Sequence, residues 1–89
     1  MTPAIEHQPG RFVLRVDGAE AELVYDRRGD VLDITHTYTP PALRGREIAA
    51  RLTEAAFAFA RENGLRVVPT CSYAAEWAAR HPDAQDLVR

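Results

Sequence analysis

Residues 41–52, PALRGREIAARL, decide how this chain folds. Pro41, which opens the stretch, and Pro40 before it stop any strand that precedes them, and the apolar spacing from residue 48 onward is typical of a helix. Between the two stand Arg44, Gly45 and Arg46. The macrodipole at a helix start favours negative charge, so two arginines there oppose the local field. An anion bound between them would account for both.

A helix N-terminus is also a chemically suitable place for such an anion. It exposes unpaired backbone N–H groups and a partial positive charge. Gly45 lets the chain turn tightly and lets an anion approach the backbone. Arg44 and Arg46 can make bidentate, charge-assisted contacts to phosphate oxygens. A site for a diphosphate or a similar anion is therefore one interpretation, and two solvated arginines beside a loop glycine is the other.

Upstream of this stretch, hydrophobic alternation predicts three strands: Phe12 to Val16, Ala21 to Tyr25, and Val31 to Tyr38. The dipeptide Asp17-Gly18 is typical of a hairpin, and residues 26–30 predict a second turn. Short turns between successive strands indicate an antiparallel meander. One face of the third strand is predicted to carry Leu32, Ile34, His36 and Tyr38.

Downstream, the pattern predicts a long helix from about Arg44 to Asn63, ended by Gly64. Leu65 to Cys71 is a fourth strand, which a right-handed crossover would place beside the third and parallel to it. Ser72 is the predicted N-cap of a short helix from Tyr73 to about Arg80. The fold class is therefore mixed, α/β (α+β). The stripe of the long helix that would face the core is Ile48, Leu52, Ala56 and Phe59.

The composition limits the class of protein. We expect a single domain over residues 1–89, with residues 1–10 as a leader or a short edge element. A net charge of −2 with scattered arginines argues against a general nucleic-acid binder. The N-terminus lacks the pattern of a signal peptide, and the apolar run of residues 55–60 is too short to span a bilayer. One cysteine, Cys71, and three dispersed histidines do not form a zinc set. We expect a cytoplasmic protein without metal, nucleic-acid or membrane partners.

The order of the motifs resembles the GNAT superfamily of N-acetyltransferases. A strand, then TYTPP, LRGREIA and a long helix is similar to the coenzyme A site of that superfamily. The pattern there is Arg or Gln, two residues, Gly, one residue, then Gly or Ala. Arg44 and Ala49 match its ends, whereas Glu47 stands in place of the middle glycine. The chain looks more specifically like the small single-domain GNAT-like proteins, over about residues 12 to 88. The motifs shared with that group are His36-Thr37, Arg44-Gly45, Pro69-Thr70-Cys71 and His81-Pro82.

The resemblance implies a minimal GNAT-like fold and acetyl-CoA as co-substrate. In GNAT folds the strand before the phosphate-binding turn and the strand after the long helix splay apart, and the pantetheine arm lies in that gap. Pro69 agrees with a strand that stops pairing where such a gap opens. The residues implied for coenzyme binding are His36, Thr37 and Tyr38 along the arm, and Thr39, Arg44, Gly45, Arg46, Glu47, Ile48 and Ala49 at the pyrophosphate. The residues implied at the thioester end are Cys71, Ser72 and Tyr73.

The two candidate catalytic residues each have a structural alternative. Cys71 precedes a helix, which lowers a thiol pKa and favours a reactive thiolate, but a free cysteine is also a common small buried residue. Tyr73 is implied as the general acid that protonates the leaving thiolate, as a tyrosine does in many GNAT enzymes. Its alternative is an aromatic side chain packed against Trp77 one turn later.

The histidines have structural interpretations as well. His36 is predicted on the apolar face of its strand, as a hydrogen-bonded core residue or as a base beside the coenzyme. His81, with Pro82, is expected to cap the second helix, with contact to the acyl site as the alternative. His7 lies in the leader and is expected to be exposed.

The resemblance implies an acetyl-CoA-dependent N-acetyltransferase acting on a small amine or on a protein or peptide amine. The alternatives are a non-catalytic acyl-CoA-binding module and an interaction domain that has lost the coenzyme. Glu47, beside the expected pyrophosphate, favours the binding module, as does the lack of predicted N-terminal helices that would form an acceptor groove. Exposed strand edges allow a monomer or a weak homodimer.

Overall fold

The computed structural model describes residues 4–89, and within them the chain forms five strands in one sheet. The strands are β1 (Glu6–Gln8), β2 (Arg11–Val16), β3 (Ala19–Arg28), β4 (Val31–Tyr38) and β5 (Arg66–Pro69). Their order in the sheet follows the sequence; β1 to β4 are antiparallel, and β5 is parallel to β4. The helices are α1 (Ile48–Glu62) and α2 (Ser72–Ala79), with short 3₁₀ helices at Pro41–Leu43 and Pro82–Leu87. The predicted mixed fold, with its meander and its parallel last strand, is confirmed.

The turns of the meander follow from local backbone chemistry. Asp17 and Gly18 both have positive φ, 50° and 82°, which suits the tight turn between β2 and β3. The turn between β3 and β4 is shorter than predicted, because β3 continues to Arg28. Arg27 and Arg28 pair with the first residues of β4, and the Arg27 guanidinium lies 5.8 Å from the centre of the Phe59 ring. The sequence predicted a turn over residues 26–30 because the last residues of the strand, 26–28, are charged.

The segment predicted as a leader or an edge element contains β1, which pairs with β2. Residues 1–3 lie outside the described part of the chain. The His7 ring stacks on Phe12 with centroids 4.1 Å apart, and its Nε2 is 2.6 Å from the Tyr25 hydroxyl. His7 is exposed, as predicted, yet it joins this short edge strand to the core by side-chain contacts.

Helix α1 begins at Ile48, not near Arg44 as predicted. Arg44 is extended, with ψ of 149°, and Gly45 and Glu47 have positive φ, so residues 44–47 form a loop. The helix is therefore about 22 Å long. It ends as predicted, since Asn63 is its C-cap and Gly64 follows with φ of 68°. In the described part of the chain, neither helix has the length and apolar run needed to cross a bilayer.

Helix α2 begins one residue before the prediction. Cys71, not Ser72, is its N-cap, and β5 ends at Pro69 instead of reaching Cys71. The thiol-bearing residue thus belongs to the helix start. The difference matters for chemistry, because a side chain at the N-cap lies beside the free N–H groups of the first turn.

Both helices pack on one face of the sheet. Leu52 and Ala56 of α1 are fully buried there, and Ile48 is 4% exposed, which confirms most of the predicted stripe. Phe59 is only partly buried, because it lies over the edge where β1 joins the sheet and contacts His7 at 4.6 Å. Three further α1 residues are buried, namely Thr53, Phe57 and Ala60.

The opposite face of the sheet carries ion pairs. Arg11 pairs with Glu20 and Glu22 at 3.2 and 2.8 Å, and Arg15 pairs with Glu20 at 2.9 Å. Val13, opposite Glu22 in the sheet, is fully buried among these side chains. The long stems of arginine and glutamate cover apolar surface while their charged ends stay in water. This face is thus stabilised without a helix packed on it among residues 4–89.

Candidate functional site

A β-bulge lies in the middle of β4. Ile34 pairs with Tyr25, whereas His36 pairs with Val24, so Thr35 is an extra residue in β4. The Thr35 hydroxyl donates a hydrogen bond to the Val24 carbonyl oxygen at 3.3 Å. Because side chains alternate with a period of two, one extra residue reverses the faces of all that follow.

The bulge changes the role of the second half of β4. Thr37 pairs with the buried Leu23 and lies on the face that the helices cover. His36 and Tyr38 lie on the opposite face, where both are exposed, Tyr38 to 46%. The prediction that they share a face with the apolar first half of the strand is wrong, because simple alternation does not anticipate a bulge. His36 is therefore not a core histidine.

β4 and β5 separate at the bulge. The last pair between them joins Ile34 to Pro69, and proline has no N–H to continue the ladder. The backbone N–H of Cys71 still donates to the Ile34 carbonyl oxygen at 2.9 Å. From there the chain turns into α2, while β4 continues to Tyr38. A gap opens between the two strands, with Cys71 at its inner end.

Cys71 occupies a distinct chemical environment at that point. Its side chain is partly buried, and Sγ lies 3.5 Å from the Thr37 hydroxyl oxygen. Burial raises the pKa of the thiol, but the Thr37 hydroxyl and the backbone N–H groups of Ala74 and Tyr73 outweigh it, so the pKa is below its ordinary value. Since Sγ makes no full capping hydrogen bond, these N–H groups act on the thiolate as nearby dipoles. The Cys71 side chain packs against the core, and its lowered pKa favours the thiolate form.

A cavity of about 210 Å³ lies at the start of α1. The Arg44 Nε donates to the Thr39 carbonyl oxygen at 3.2 Å, which ties the loop back to the end of β4. The cavity brings Tyr73 of α2 next to this loop, while Arg46 is exposed and does not line it. Leu43 is a lining residue that the sequence analysis did not single out. The lining residues are Thr39, Leu43, Arg44, Gly45, Glu47, Ile48, Ala49 and Tyr73.

The backbone of this loop is suited to an anion. Gly45 and Glu47 have φ of 81° and 59°, and the first hydrogen bond of α1 runs from the Arg51 N–H to the Glu47 carbonyl oxygen at 3.1 Å. The N–H groups of residues 48–50 precede that bond and have no partner within the helix. The Glu47 side chain does not cap them. Unpaired N–H groups and the positive end of the helix dipole together favour a bound anion.

A second cavity, of about 280 Å³, lies between the start of α1 and α2 and shares Glu47 and Tyr73 with the first. Burial raises the pKa of the Tyr73 phenol; Arg80 opposes this rise, and the Glu47 carboxylate adds to it. The phenol therefore keeps its proton well above neutral pH. The residues lining this cavity are Glu47, Ala50, Tyr73, Glu76, Trp77, Arg80 and His81.

Tyr73 packs against the core cluster that contains Trp77, whose ring contacts are with Phe57 and His81. The Trp77 ring lies 4.9 Å from Phe57 and is stacked on His81 at 3.9 Å, centroid to centroid. The His81 Nδ1 lies 2.7 Å from the Trp77 carbonyl oxygen, which can only accept, so the proton is on Nδ1. Together with the His81 backbone N–H, which donates to Ala78, this contact caps α2 as predicted. Within residues 4–89 no group of three His, Cys, Asp or Glu residues is placed to hold a metal ion.

Comparison with known proteins assigns the fold to a family. The sequence model of the GCN5-related N-acetyltransferases matches residues 11–87. Protein NATD1 of Danio rerio is 38% identical over 96% of this chain and 82% of its own length, and human Protein NATD1 is 37% identical over 96% and 80%.

A solved structure agrees with the sequence comparison. The solution structure of a GCN5-like protein from Staphylococcus aureus superposes with a TM-score of 0.75, at 25% identity, over 97% of this chain and 87% of that one. Both kinds of similarity extend over nearly the whole chain. The chain belongs to the family of GCN5-related N-acetyltransferases.

Proposed function

We propose that this protein, acting as a single domain, is an acetyl-CoA-dependent N-acetyltransferase that modifies a small amine or a protein or peptide amine. The observation that carries the proposal is the position of Tyr73. This residue lines the cavity at the anion-binding loop and follows closely after Cys71 at the gap between β4 and β5. Groups suited to holding a diphosphate and groups suited to proton transfer thus meet at one place. The proposal includes a cytoplasmic location and a monomer or a weak homodimer.

The residues present fit acetyl-CoA as a co-substrate. The N–H groups of the first turn of α1 and the guanidinium of Arg44 would hold the diphosphate. Thr37 lies on the helix-covered face beside the gap and would line the pantetheine arm. The side chains of His36 and Tyr38 face the other way, so only their backbone groups could contact the arm. When bound, acetyl-CoA supplies the acetyl group as a thioester.

Tyr73 would act as the general acid. In the transfer, a C–N bond forms between the amine and the acetyl carbon, and the C–S bond of the thioester breaks. The leaving thiolate needs a proton, and a phenol whose pKa is raised still carries one at neutral pH. The proton that the amine loses on forming the amide returns to the phenolate through solvent. The loop and the gap would hold the two reactants together, which supplies much of the rate enhancement.

Glu47 supports a second candidate, a non-catalytic acyl-CoA-binding module. Its carboxylate lines both cavities beside the expected diphosphate, where a negative charge weakens binding. Weak binding of the coenzyme suits a reversible carrier or sensor better than an enzyme that must retain it through a reaction.

The first test is a calorimetric titration with acetyl-CoA. The native protein should bind, and the Arg44→Ala, Arg46→Ala variant should bind at least about tenfold more weakly, because charge-assisted contacts to the diphosphate are lost. A matched control is Arg66→Ala, Arg89→Ala, which removes the same charge at the far end of β5. Absence of binding to the native protein would overturn both candidates.

The second test separates the enzyme from the binding module. Acetyl-CoA consumption is followed over a panel of small amines and peptides with free amino groups. Loss of the general acid in Tyr73→Phe should lower turnover by about 10²- to 10⁴-fold with binding unchanged. Saturable binding without turnover on the whole panel would favour the module, and full turnover in Tyr73→Phe would remove this residue from the mechanism.

A further inference from the structure

Asp33 is a nearly buried carboxylate that the proposed mechanism does not use. It lies in β4 on the face opposite the helices and is 9% exposed. One carboxylate oxygen accepts a hydrogen bond from the Thr70 hydroxyl, and the other lies 3.0 Å from the Arg28 guanidinium. Asp33 therefore connects β3, β4 and the end of β5 at the level where the gap opens.

These two partners are not equivalent. The Arg28 side chain is 65% exposed, and such ion pairs contribute little. An ion pair with so exposed a partner gives little reason by itself for a nearly buried carboxylate at this position. The contact that distinguishes Asp33 is the one to Thr70, the residue directly before Cys71.

β4 holds Cys71 through several successive contacts. Asp33 accepts from Thr70, the Ile34 carbonyl accepts from the Cys71 N–H at 2.9 Å, and the Thr37 hydroxyl lies 3.5 Å from Sγ. Pro69 cannot add a ladder hydrogen bond at this point. The turn from β5 into α2 is thus held on one face of the sheet by the hydrogen bond between Thr70 and Asp33. On the other face it is held by the contact between the Cys71 thiol and the Thr37 hydroxyl.

We propose that Asp33 is a positioning residue, which through Thr70 fixes Cys71 where its thiol meets the Thr37 hydroxyl and the start of α2. The relevance of this role to acetyl transfer rests on the proposed function. The role itself does not, because it concerns the placement of a side chain in the free protein.

The pH dependence of Cys71 alkylation by iodoacetamide tests the proposal, since the chain has one cysteine. The rate follows the thiolate fraction and so reports the pKa of the thiol. Asp33→Val and Thr70→Val should both move the midpoint upward by about half a pH unit or more, because the thiol spends less time beside its partners. A merely structural role predicts instead that Asp33→Val loses stability while the midpoint stays at its native value.

Three further variants define the outcome. Thr37→Val removes the thiol partner directly and should also raise the midpoint. Thr70→Ser keeps the hydroxyl and should restore the native midpoint, and Arg28→Met should leave it unchanged. Native midpoints in both Asp33→Val and Thr70→Val would overturn the proposal, as would an equal shift in Thr70→Ser. Since no acetyl-CoA is needed, a shifted midpoint in a protein without turnover would overturn the proposed function and leave the role of Asp33 intact.

Discussion

Glu47 stands where the GNAT pattern has its middle glycine, and the structure shows what this difference means for the backbone. Its φ of 59° lies in the left-handed region, which costs a residue with a side chain about 1 kcal/mol or more and costs glycine little. The sequence shows a glutamate at a glycine position. The structure adds that Glu47 lines both cavities, and that its carboxylate adds to the rise in the Tyr73 pKa that burial causes.

Glu47→Gly should therefore improve two properties. The free energy of unfolding should rise by about 1 kcal/mol, because the left-handed conformation is no longer strained. Acetyl-CoA should bind several-fold more tightly, because a negative charge beside the diphosphate is removed. Chemical denaturation and calorimetric titration measure the two effects.

Glu47→Gln separates charge from strain. It removes the carboxylate but keeps the side chain and its backbone cost, so binding should tighten while stability stays close to that of the native protein. If this variant binds acetyl-CoA no better than the native protein, charge at residue 47 is not what limits binding.

At the scale of elements, β1 shows how side chains can hold a strand too short to be stable by itself. Three residues pair with β2, and the His7 ring joins them to the core through Phe12, Phe59 and the Tyr25 hydroxyl. The sequence left this segment as a leader or an edge element, because a run of polar residues and a proline carries no apolar period. This segment becomes a strand because its ring contacts form only when β1, β3 and α1 are assembled.

His7→Ala should lower the free energy of unfolding by about 1–2 kcal/mol, from lost ring contacts and one lost hydrogen bond. His7→Phe retains the stacking on Phe12 and should lose about half as much. Urea denaturation at pH 7.5 measures both. Equal stability of the native protein and His7→Ala would show that β1 is not held by this ring.

The same residue should make stability depend on pH. Burial lowers the pKa of His7 below its ordinary value of 6.5, so the folded protein favours the neutral ring. The stabilisation is complete above pH 6.5 and declines as the pH falls below that value towards the lower folded pKa. The native protein should thus lose more stability than His7→Phe between pH 7.5 and 5.5, and identical losses would contradict this assignment.

At the scale of the whole molecule, one helical layer on one face of the sheet supplies the core. α1 packs across β2, β3, β4 and β5, and its Leu52 is fully buried. The other face depends on ion pairs and arginine stems, which add little free energy each. Stability is therefore concentrated in a small apolar volume.

Leu52→Ala should lower the free energy of unfolding by about 3 kcal/mol, the usual cost of a cavity at a fully buried leucine. That is a large part of the total for a small domain, about 5–15 kcal/mol. Glu54→Ala, on the exposed side of the same helix, should change it by less than about 0.5 kcal/mol. Comparable effects of the two variants in urea denaturation would place the core elsewhere.

The sequence alone determined the order of the elements, the parallel last strand, the end of α1 at Asn63 and Gly64, and the resemblance to its family. These features depend on local signals, namely hydrophobic alternation, helical periodicity, turn residues and short motifs of consecutive residues. The loop proposed to bind an anion was also visible, although its residues were assigned to the helix. The positive φ of Glu47 could not be predicted from the sequence, because glutamate rarely adopts this conformation.

Tertiary structure decided the rest of the site. The extra residue in β4 arises from its pairing with β3, and it alone turns Thr37 towards Cys71, 34 positions later, and His36 away. Asp33 was visible only as an acidic residue inside an apolar strand, and its partner Thr70 lies beyond the helix that separates β4 from β5. Register and contact between distant segments are set by how the whole core packs. A local pattern cannot specify them, because the same local sequence fits either face of a strand until its partner is in place.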